Sequence, residues 1–255
     1  MYFIYILPLF TVNMHEKNKY YNKLDKAVLR AKPTLPLSLL GVVGLTSFIG
    51  VREKAHVTPG ANQVAVISGA AGACGSLAGQ IMKLDGCARV VGIAGTKAKC
   101  DWLVNELGFS GAINYKTDNI DEKLKELCPN GIDIYWDNVG GDISNAVIRQ
   151  MNSDSHVILC GQISVYNKDL PYPPPIPDDI TATLKDRNIT RERYLVFNYP
   201  DKYTSALQEL AQLYFSGKIK IKETITKGLE NSGAAFISVM TGGNIGKQIV
   251  EVAQI

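Results

Sequence analysis

The chain has 255 residues, 46% of them hydrophobic and 20% charged, with a formal net charge of +3. This is the composition of an ordinary globular protein, long enough for one large α/β domain or one domain plus part of another. The charge is too small, and the basic residues too scattered, to argue for nucleic acid or a membrane surface as a partner.

The opening MYFIYILPLFTV is apolar but too short to span a bilayer. With no basic stretch before it and no small-residue cleavage site after it, it does not read as a signal peptide. The lysine-rich, aperiodic HEKNKYYNKLDKAVLRAKPTLP follows, so residues 1–36 are assigned only as a leader. From residue 37 the pattern is regular. Apolar spacing predicts a helix that ends before the turn Thr58-Pro59-Gly60. VAVIS (64–68) reads as a buried strand, 73–84 as a helix, RVVGIA (89–94) as a strand and TKAKCDWLVNELG as a helix stopped by Gly108. AIN (112–114) is a short strand, 118–128 a helix, IDIYWDNV (132–139) a strand, 142–151 a helix and HVILCG (156–161) a strand. The proline-rich DLPYPPPIPDD reads as a stiff loop. NITRERYLVFNY, GKIKIKETI and IGKQIVEVA read as strands, with helices at 201–216 and 229–240 between them. Strands alternating with helices predict an α/β, doubly wound parallel sheet of Rossmann type. Any ligand then belongs at the C-terminal ends of the strands.

The five cysteines form no CxxC and the three histidines no HxxxH, so no metal site is expected and the thiols should be reduced, as in cytoplasm. Ala70-x-Gly72-x-x-Gly75 is a variant of GxGxxG. Gly72 lets backbone approach a pyrophosphate, Gly75 lets the helix pack on the strand, and the helix N-terminus holds the phosphates. The second strand ends Ile93-Ala94-Gly95-Thr96-Lys97-Ala98-Lys99, with no carboxylate for a ribose 2′-hydroxyl and two lysines just beyond. A 2′-phosphate suits that end, which points to NADPH over NADH; the alternative is that both lysines are solvated on the outside of a helix.

Other chemistries find little support. Tyr214-x-x-x-Lys218 has the spacing of a short-chain dehydrogenase pair, but Gly217 interrupts it and a strand-like KIKIKE follows. GxSxG is absent, and so are the Cys/His clusters of a zinc alcohol dehydrogenase.

The ordered segments SGAAGACGS, GTKAKC, AINYK, DNVGG, ILCGQISVYN, RERYLVFNY and GGNIGKQIV resemble the zinc-independent medium-chain dehydrogenases/reductases that act on prostaglandins and leukotrienes. The similarity runs from about Leu37 to Val252. It implies a lipid-metabolic oxidoreductase without metal, cytoplasmic, monomeric or homodimeric at full length. The implied reaction is NADPH-dependent reduction of the conjugated double bond of α,β-unsaturated ketones such as 15-oxoprostaglandins. Hydride adds at the β-carbon, charge collects on the carbonyl oxygen as an enolate, and a proton adds at the α-carbon.

The resemblance places Gly72, Ala73, Cys74 and Gly75 on the pyrophosphate, and Lys99 and Tyr115 near the 2′-phosphate. It places Asn138, Cys160, Gly161, Gln162, Ile163, Ser164, Tyr166, Tyr194, Leu195, Val196 and Asn244 along the rest of the cofactor. Tyr166, Leu195 and Val196 would meet the substrate, with the Tyr166 hydroxyl and the cofactor's ribose hydroxyl as the candidate donors to the developing oxyanion. A phenol near its usual pKa is neutral at pH 7 and already suited to donate. The implied layout is a nucleotide-binding domain over 37–193 and a C-terminal segment, 194–255, that belongs to a barrel-like catalytic domain. That domain precedes the glycine loop in the family and is not recognisable in residues 1–36. Two alternatives stay open: a catalytically weak NADPH-binding fragment, and a quinone reductase of the same superfamily.

Overall fold

The computed structural model describes residues 3–4 and 32–252. The greater part of the leader, residues 5–31, lies outside the described residues. A short pair, β1 (Phe3–Ile4), precedes two helices, α1 (Leu35–Ser38) and α2 (Val42–Gly50). The single helix expected from residue 37 is therefore broken. Gly41 is extended (φ −160°, ψ −154°), and Leu39 and Leu40 fold fully into the core at the break. A Cβ at Gly44 would lie 1.8 Å from the Leu39 carbonyl oxygen, so the chain closes there on glycine alone. After α2 a wider turn, Val51–Ala55, ends at His56 in the left-handed region, ahead of the expected Thr58–Gly60 turn. By length and composition 35–55 would cross a membrane, yet most of it is buried inside the protein.

Next come β2 (Val64–Ile67), α3 (Ala73–Asp85), β3 (Arg89–Ala94), α4 (Lys97–Asp101) with a continuing turn Trp102–Glu106, β4 (Gly111–Asn114) and α5 (Ile120–Leu127). They are followed by β5 (Ile132–Asp137), α6 (Gly141–Ile148), β6 (Met151–Leu159), α7 (Asp178–Asp186) and β7 (Thr190–Arg193). Among the described residues these strands form a six-stranded parallel sheet in the order β4-β3-β2-β5-β6-β7. The order reverses between β2 and β3 on one side and β5 on the other, which opens a crevice at their C-terminal ends.

Strand alternation builds the two layers. Ala65 and Ile67 of β2 face a core shared with α2 and α3, while Val64 and Val66 face a second core holding Leu124 of α5 and Val147 of α6. A strand covered on both sides must be apolar throughout, which is why VAVI shows no alternation in sequence. Each fully buried Ile, Leu or Val contributes about 1.5–3 kcal/mol relative to exposure.

The rest of the chain adds α8 (Tyr203–Phe215), β8 (Glu223–Lys227), α9 (Ser232–Met240) and β9 (Lys247–Glu251). Helix α8 buries Ala206, Leu207 and Leu210 in the same core as Phe48 and Ile49 of α2. β8 runs parallel to β9, and β1 pairs antiparallel on the other edge of β9, Phe3 opposite Glu251. Part of the stretch read as a leader is thus a strand.

Four expectations are corrected by these elements. Helix α7 was hidden behind the proline-rich loop; it follows Pro177, opens with Asp178 and Asp179 and closes with Lys185, but buries only Ile180, so its apolar period is faint. β6 begins at Met151, where a helix was expected, because Ile132 pairs with Met151 and the register shifts before Ile134. β8 starts at Glu223, after the apolar Ile219 and Ile221 have packed on the core as irregular chain. The strand expected across 188–199 stops at Arg193 and gives way to the turns Val196–Asn198 and Pro200–Lys202.

Candidate functional site

The crevice is framed by Ser68 to Gly75 after β2, Gly95 to Lys99 after β3, Tyr115 after β4, Asn138 to Gly140 after β5, and Cys160 to Tyr166 after β6. The loop after β2 has the shape its glycines require. A Cβ at Gly75 would fall 2.6 Å from the Gly69 carbonyl oxygen and 2.9 Å from the Ala70 Cα, so the helix start can sit this close only as glycine. Gly72 caps α3 in extended conformation, and its side-chain-free cap leaves the first-turn N–H groups of Ala73 and Cys74 for a ligand. The first turn carries no acid. A diphosphate fits this cradle by charge and by room. From the far end of the chain, Gly246 donates its N–H to the Ala71 carbonyl (2.7 Å) and bridges to Gly72, bringing Asn244 to the loop. The Asn244 side chain donates to the Gly246 carbonyl at 2.8 Å.

The end of β3 separates the two lysines. Lys97 turns outward and pairs with Asp101 at 2.6 Å, its side chain 85% exposed. The solvated reading therefore holds for Lys97. Lys99 turns inward: it is buried and donates to the Gly242 carbonyl at 2.6 Å. Burial, helped by the nearby Lys116, lowers its pKa from the ordinary lysine value. Tyr115 stands over the same corner, where a Cβ on Gly95 would lie 2.9 Å from its hydroxyl. Lys116 lies 5.9 Å from the centre of the Tyr115 ring. Sequence reading had not included Lys116, although it directly follows Tyr115 in AINYK. Two cations and a phenol converge here, an arrangement that suits a phosphate monoester.

The other half of the crevice is built around Asp137, also absent from the sequence-derived set. This buried carboxylate accepts from Ser68 Oγ (3.1 Å), Tyr135 Oη (3.0 Å), Ser144 Oγ (3.0 Å) and the backbone N–H groups of Val139 (2.9 Å) and Gly140 (2.8 Å). An acid at the buried C-terminal end of β5, just before Gly140-Gly141, was the available signal. Asn138 is tied on both sides, its amide donating to the Ser68 carbonyl (2.7 Å) and its oxygen accepting from Trp136 Nε1 (3.2 Å).

The segment after β6 is laced to this turn. Cys160 and Gly161 donate to the Asp137 carbonyl, Ile163 to that of Asn138 and Ser164 to that of Val139. Gln162 is buried, and its Oε1 has no hydrogen-bond partner among the described residues. Tyr166 folds back so that its hydroxyl accepts from the Gln162 backbone N–H at 3.3 Å, close against Gly161. Burial, and next the neighbouring Tyr172, push its phenol up to about 12. The expectation of an unperturbed phenol is thus corrected, and the group is neutral over a wider pH range. Tyr194 and Val196 are both about 4% exposed and pack in the core. The Tyr194 ring packs on Trp136 and Tyr199, and only Leu195 between them is partly exposed. Among the described residues no three His, Cys, Asp or Glu side chains converge as a metal cluster, so these residues supply no zinc ligand set.

Comparison with known proteins agrees with this architecture. Residues 73–212 match the family described as zinc-binding dehydrogenase. Prostaglandin reductase 1 of Bos taurus is 41% identical over 236 residues, which is 90% of this chain and 69% of that protein. The Mus musculus prostaglandin reductase 1 is 39% identical, covering 90% of this chain and 70% of its own length. The crystal structure of CurA from Vibrio vulnificus in complex with NADPH superimposes with a TM-score of 0.81 at 36% identity, covering 88% of this chain and 66% of that one. The chain thus spans about two thirds of the length of these relatives. On these grounds the chain belongs to the zinc-binding dehydrogenase family, within the medium-chain dehydrogenase/reductase superfamily.

Proposed function

We propose that this chain binds NADPH along the crevice and reduces the conjugated double bond of an α,β-unsaturated ketone, the 15-oxoprostaglandins being the substrate type. The observation that carries this reading is the ordered division of the crevice. A cation corner at Lys99, Lys116 and Tyr115 lies at one end, an anion-seating helix start in the middle, and the neutral phenol of Tyr166 at the other. When bound, NADPH supplies the hydride for the β-carbon. The protein's own work is positional and electrostatic. Gly72 to Gly75 seat the diphosphate, and Lys99 discriminates for a 2′-phosphate. Asn138 and the segment Cys160 to Ser164 form the wall beside the reacting ring. Tyr166 holds its proton toward the substrate oxygen as negative charge develops there, the point at which a fixed donor gains most. Leu195 is the apolar contact on the substrate side. The relatives named for prostaglandin reduction and for NADPH binding support the same assignment. The cysteines are unpaired, as in a reducing compartment, and we place the protein in the cytoplasm.

The test mixes the chain with NADPH and a 15-oxoprostaglandin and follows loss of the cofactor's near-ultraviolet absorbance. Saturable, enone-dependent loss is expected. Intact NADPH binding with no enone-dependent loss would leave a cofactor-binding protein and overturn the reductase assignment.

A further inference from the structure

The turn that follows α2, Val51–Ala55, carries three charged side chains, and each is tied to a different part of the protein. Arg52 pairs with Asp85 of α3 (2.6 Å) and Glu209 of α8 (3.0 Å), Glu53 with Lys202, and Lys54 with Glu192, beside β7 residue Arg191 (2.7 Å for the Lys54 pair). The next residue, His56, stands in the left-handed region (φ 50°), and the Gln63 side-chain amide donates to its carbonyl at 3.2 Å. The exposed His56 ring lies against the half-buried ring of His156 on β6, the ring centres 4.5 Å apart and the planes tilted by 50°. His156 pairs with Thr190 of β7, and its Nδ1 is 2.7 Å from the Thr190 hydroxyl oxygen. That hydroxyl donates to the Ser155 carbonyl at 3.5 Å. It therefore accepts from Nδ1–H, and the lone pair of the neutral His156 ring sits on Nε2. The neighbouring carboxylates are already engaged, Glu192 by Lys54 and Asp154 by Asn188 Nδ2 at 2.6 Å.

We propose that the facing rings of His56 and His156 form a pH-sensitive latch, which holds the turn after α2 against β6 at neutral pH and releases it on acidification. A histidine ring is the side chain that ordinarily gains its charge between about pH 8 and about pH 5. Once both rings are protonated, two positive charges face each other across ring centres 4.5 Å apart, and Lys54 adds a third from the same turn. Like charges this close disfavour the charged form of the contact. Burial, and next the neighbouring His56, already hold the His156 ring below the ordinary value of 6.5, while Glu192 and Asp154 act in the opposite sense. The native ring thus takes its proton at a lower pH than the unfolded chain does. Stability from the contact is therefore present above 6.5, declines as the pH falls through that value, and is fully lost below the native pKa. Asp85, the partner of Arg52, is a second acid-sensitive group on this face, because burial raises its carboxyl from the ordinary 3.8. Substituting either histidine leaves the Asp85 titration in place. Neither ring frames the cofactor crevice, so the latch does not depend on the NADPH reading.

The full chain is compared at about pH 7.5 and about pH 5.5 by hydrogen–deuterium exchange, corrected for the intrinsic pH dependence of amide exchange, and its histidine ring protons are titrated by NMR. Protection of the amides of residues 51–56 is expected to fall about tenfold or more at the lower pH, with β2 and β3 unchanged. His56→Asn removes one ring and keeps a residue that tolerates the left-handed backbone. In this variant the fall should shrink to about threefold or less, and the His156 titration should move up toward the ordinary value. His156→Gln should flatten the same dependence. If one variant folds poorly, judged by its Tm at about pH 8, the other decides. Wild-type protection that does not change with pH would overturn the proposal, as would a His156 titration unmoved by loss of His56. A fall of the same size in the folded ring variants would overturn it as well and pass the acid response to another group, Asp85 first.

Discussion

The two ends of the crevice are built on different physical terms. At the β3–β4 end, the cofactor discrimination proposed above would depend on one buried cation, Lys99, which donates to the Gly242 carbonyl. At the β5–β6 end the charge is a carboxylate, Asp137, turned inward and fully used in hydrogen bonds to side chains and backbone. The groups proposed to meet a ligand there, Asn138 and Tyr166, are neutral. Charge placed toward the ligand selects which ligand binds. Charge placed beneath the surface fixes where neutral groups stand.

This contrast can be broken by substitution. Asp137→Ala should have the largest effect, because it strips a buried acceptor from several donors at once. A stability loss of about 3–5 kcal/mol is expected in urea unfolding; a loss below about 1 kcal/mol would show that the turn after β5 does not depend on it. Lys99→Met should weaken NADPH by about 10–100-fold in Kd while shifting NADH by less than about threefold. Equal losses for both cofactors would remove Lys99 from 2′-phosphate recognition. Tyr166→Phe should lower enone turnover by about tenfold or more at nearly constant NADPH affinity. With the phenol pushed up to about 12, the wild-type contribution should persist at about pH 10, where a phenol of ordinary pKa is already half ionised. A decline centred near pH 10 would contradict that assignment. Lys97→Ala should do least, about 0.5 kcal/mol or less in stability and no change in cofactor preference, since its ion pair is solvent-exposed.

Local chemistry made much of this legible. β3 falls on the predicted residues, α3 within one residue of its predicted end, and Gly108 ends its helical segment in the left-handed region. The signals were strong because a doubly covered strand must be apolar along its length and a sharp stop calls for glycine. The same reasoning failed where packing decides. α7 has one buried residue and so almost no period. Lys97 and Lys99 are indistinguishable in sequence, yet two positions along a helix turn one to solvent and the other to the site. The packing of the Tyr194 ring on Trp136 and against Gly50 likewise joins remote segments and left no spacing to read.

The sequence alone therefore determined the order of strands and helices from β2 to β6, the glycine cradle after β2, the absence of an acid at the end of β3 and the membership that those motifs carry. These are local or short-period properties, set by neighbouring residues. Tertiary structure decided which lysine turns inward, that Asp137 underpins the turn carrying Asn138, and that Gly246 closes on the glycine loop. Each of these joins segments remote in sequence through the sheet order β4-β3-β2-β5-β6-β7. Long-range burial and hydrogen bonding select that order, and they leave no fixed spacing in the chain for a reader to recognise.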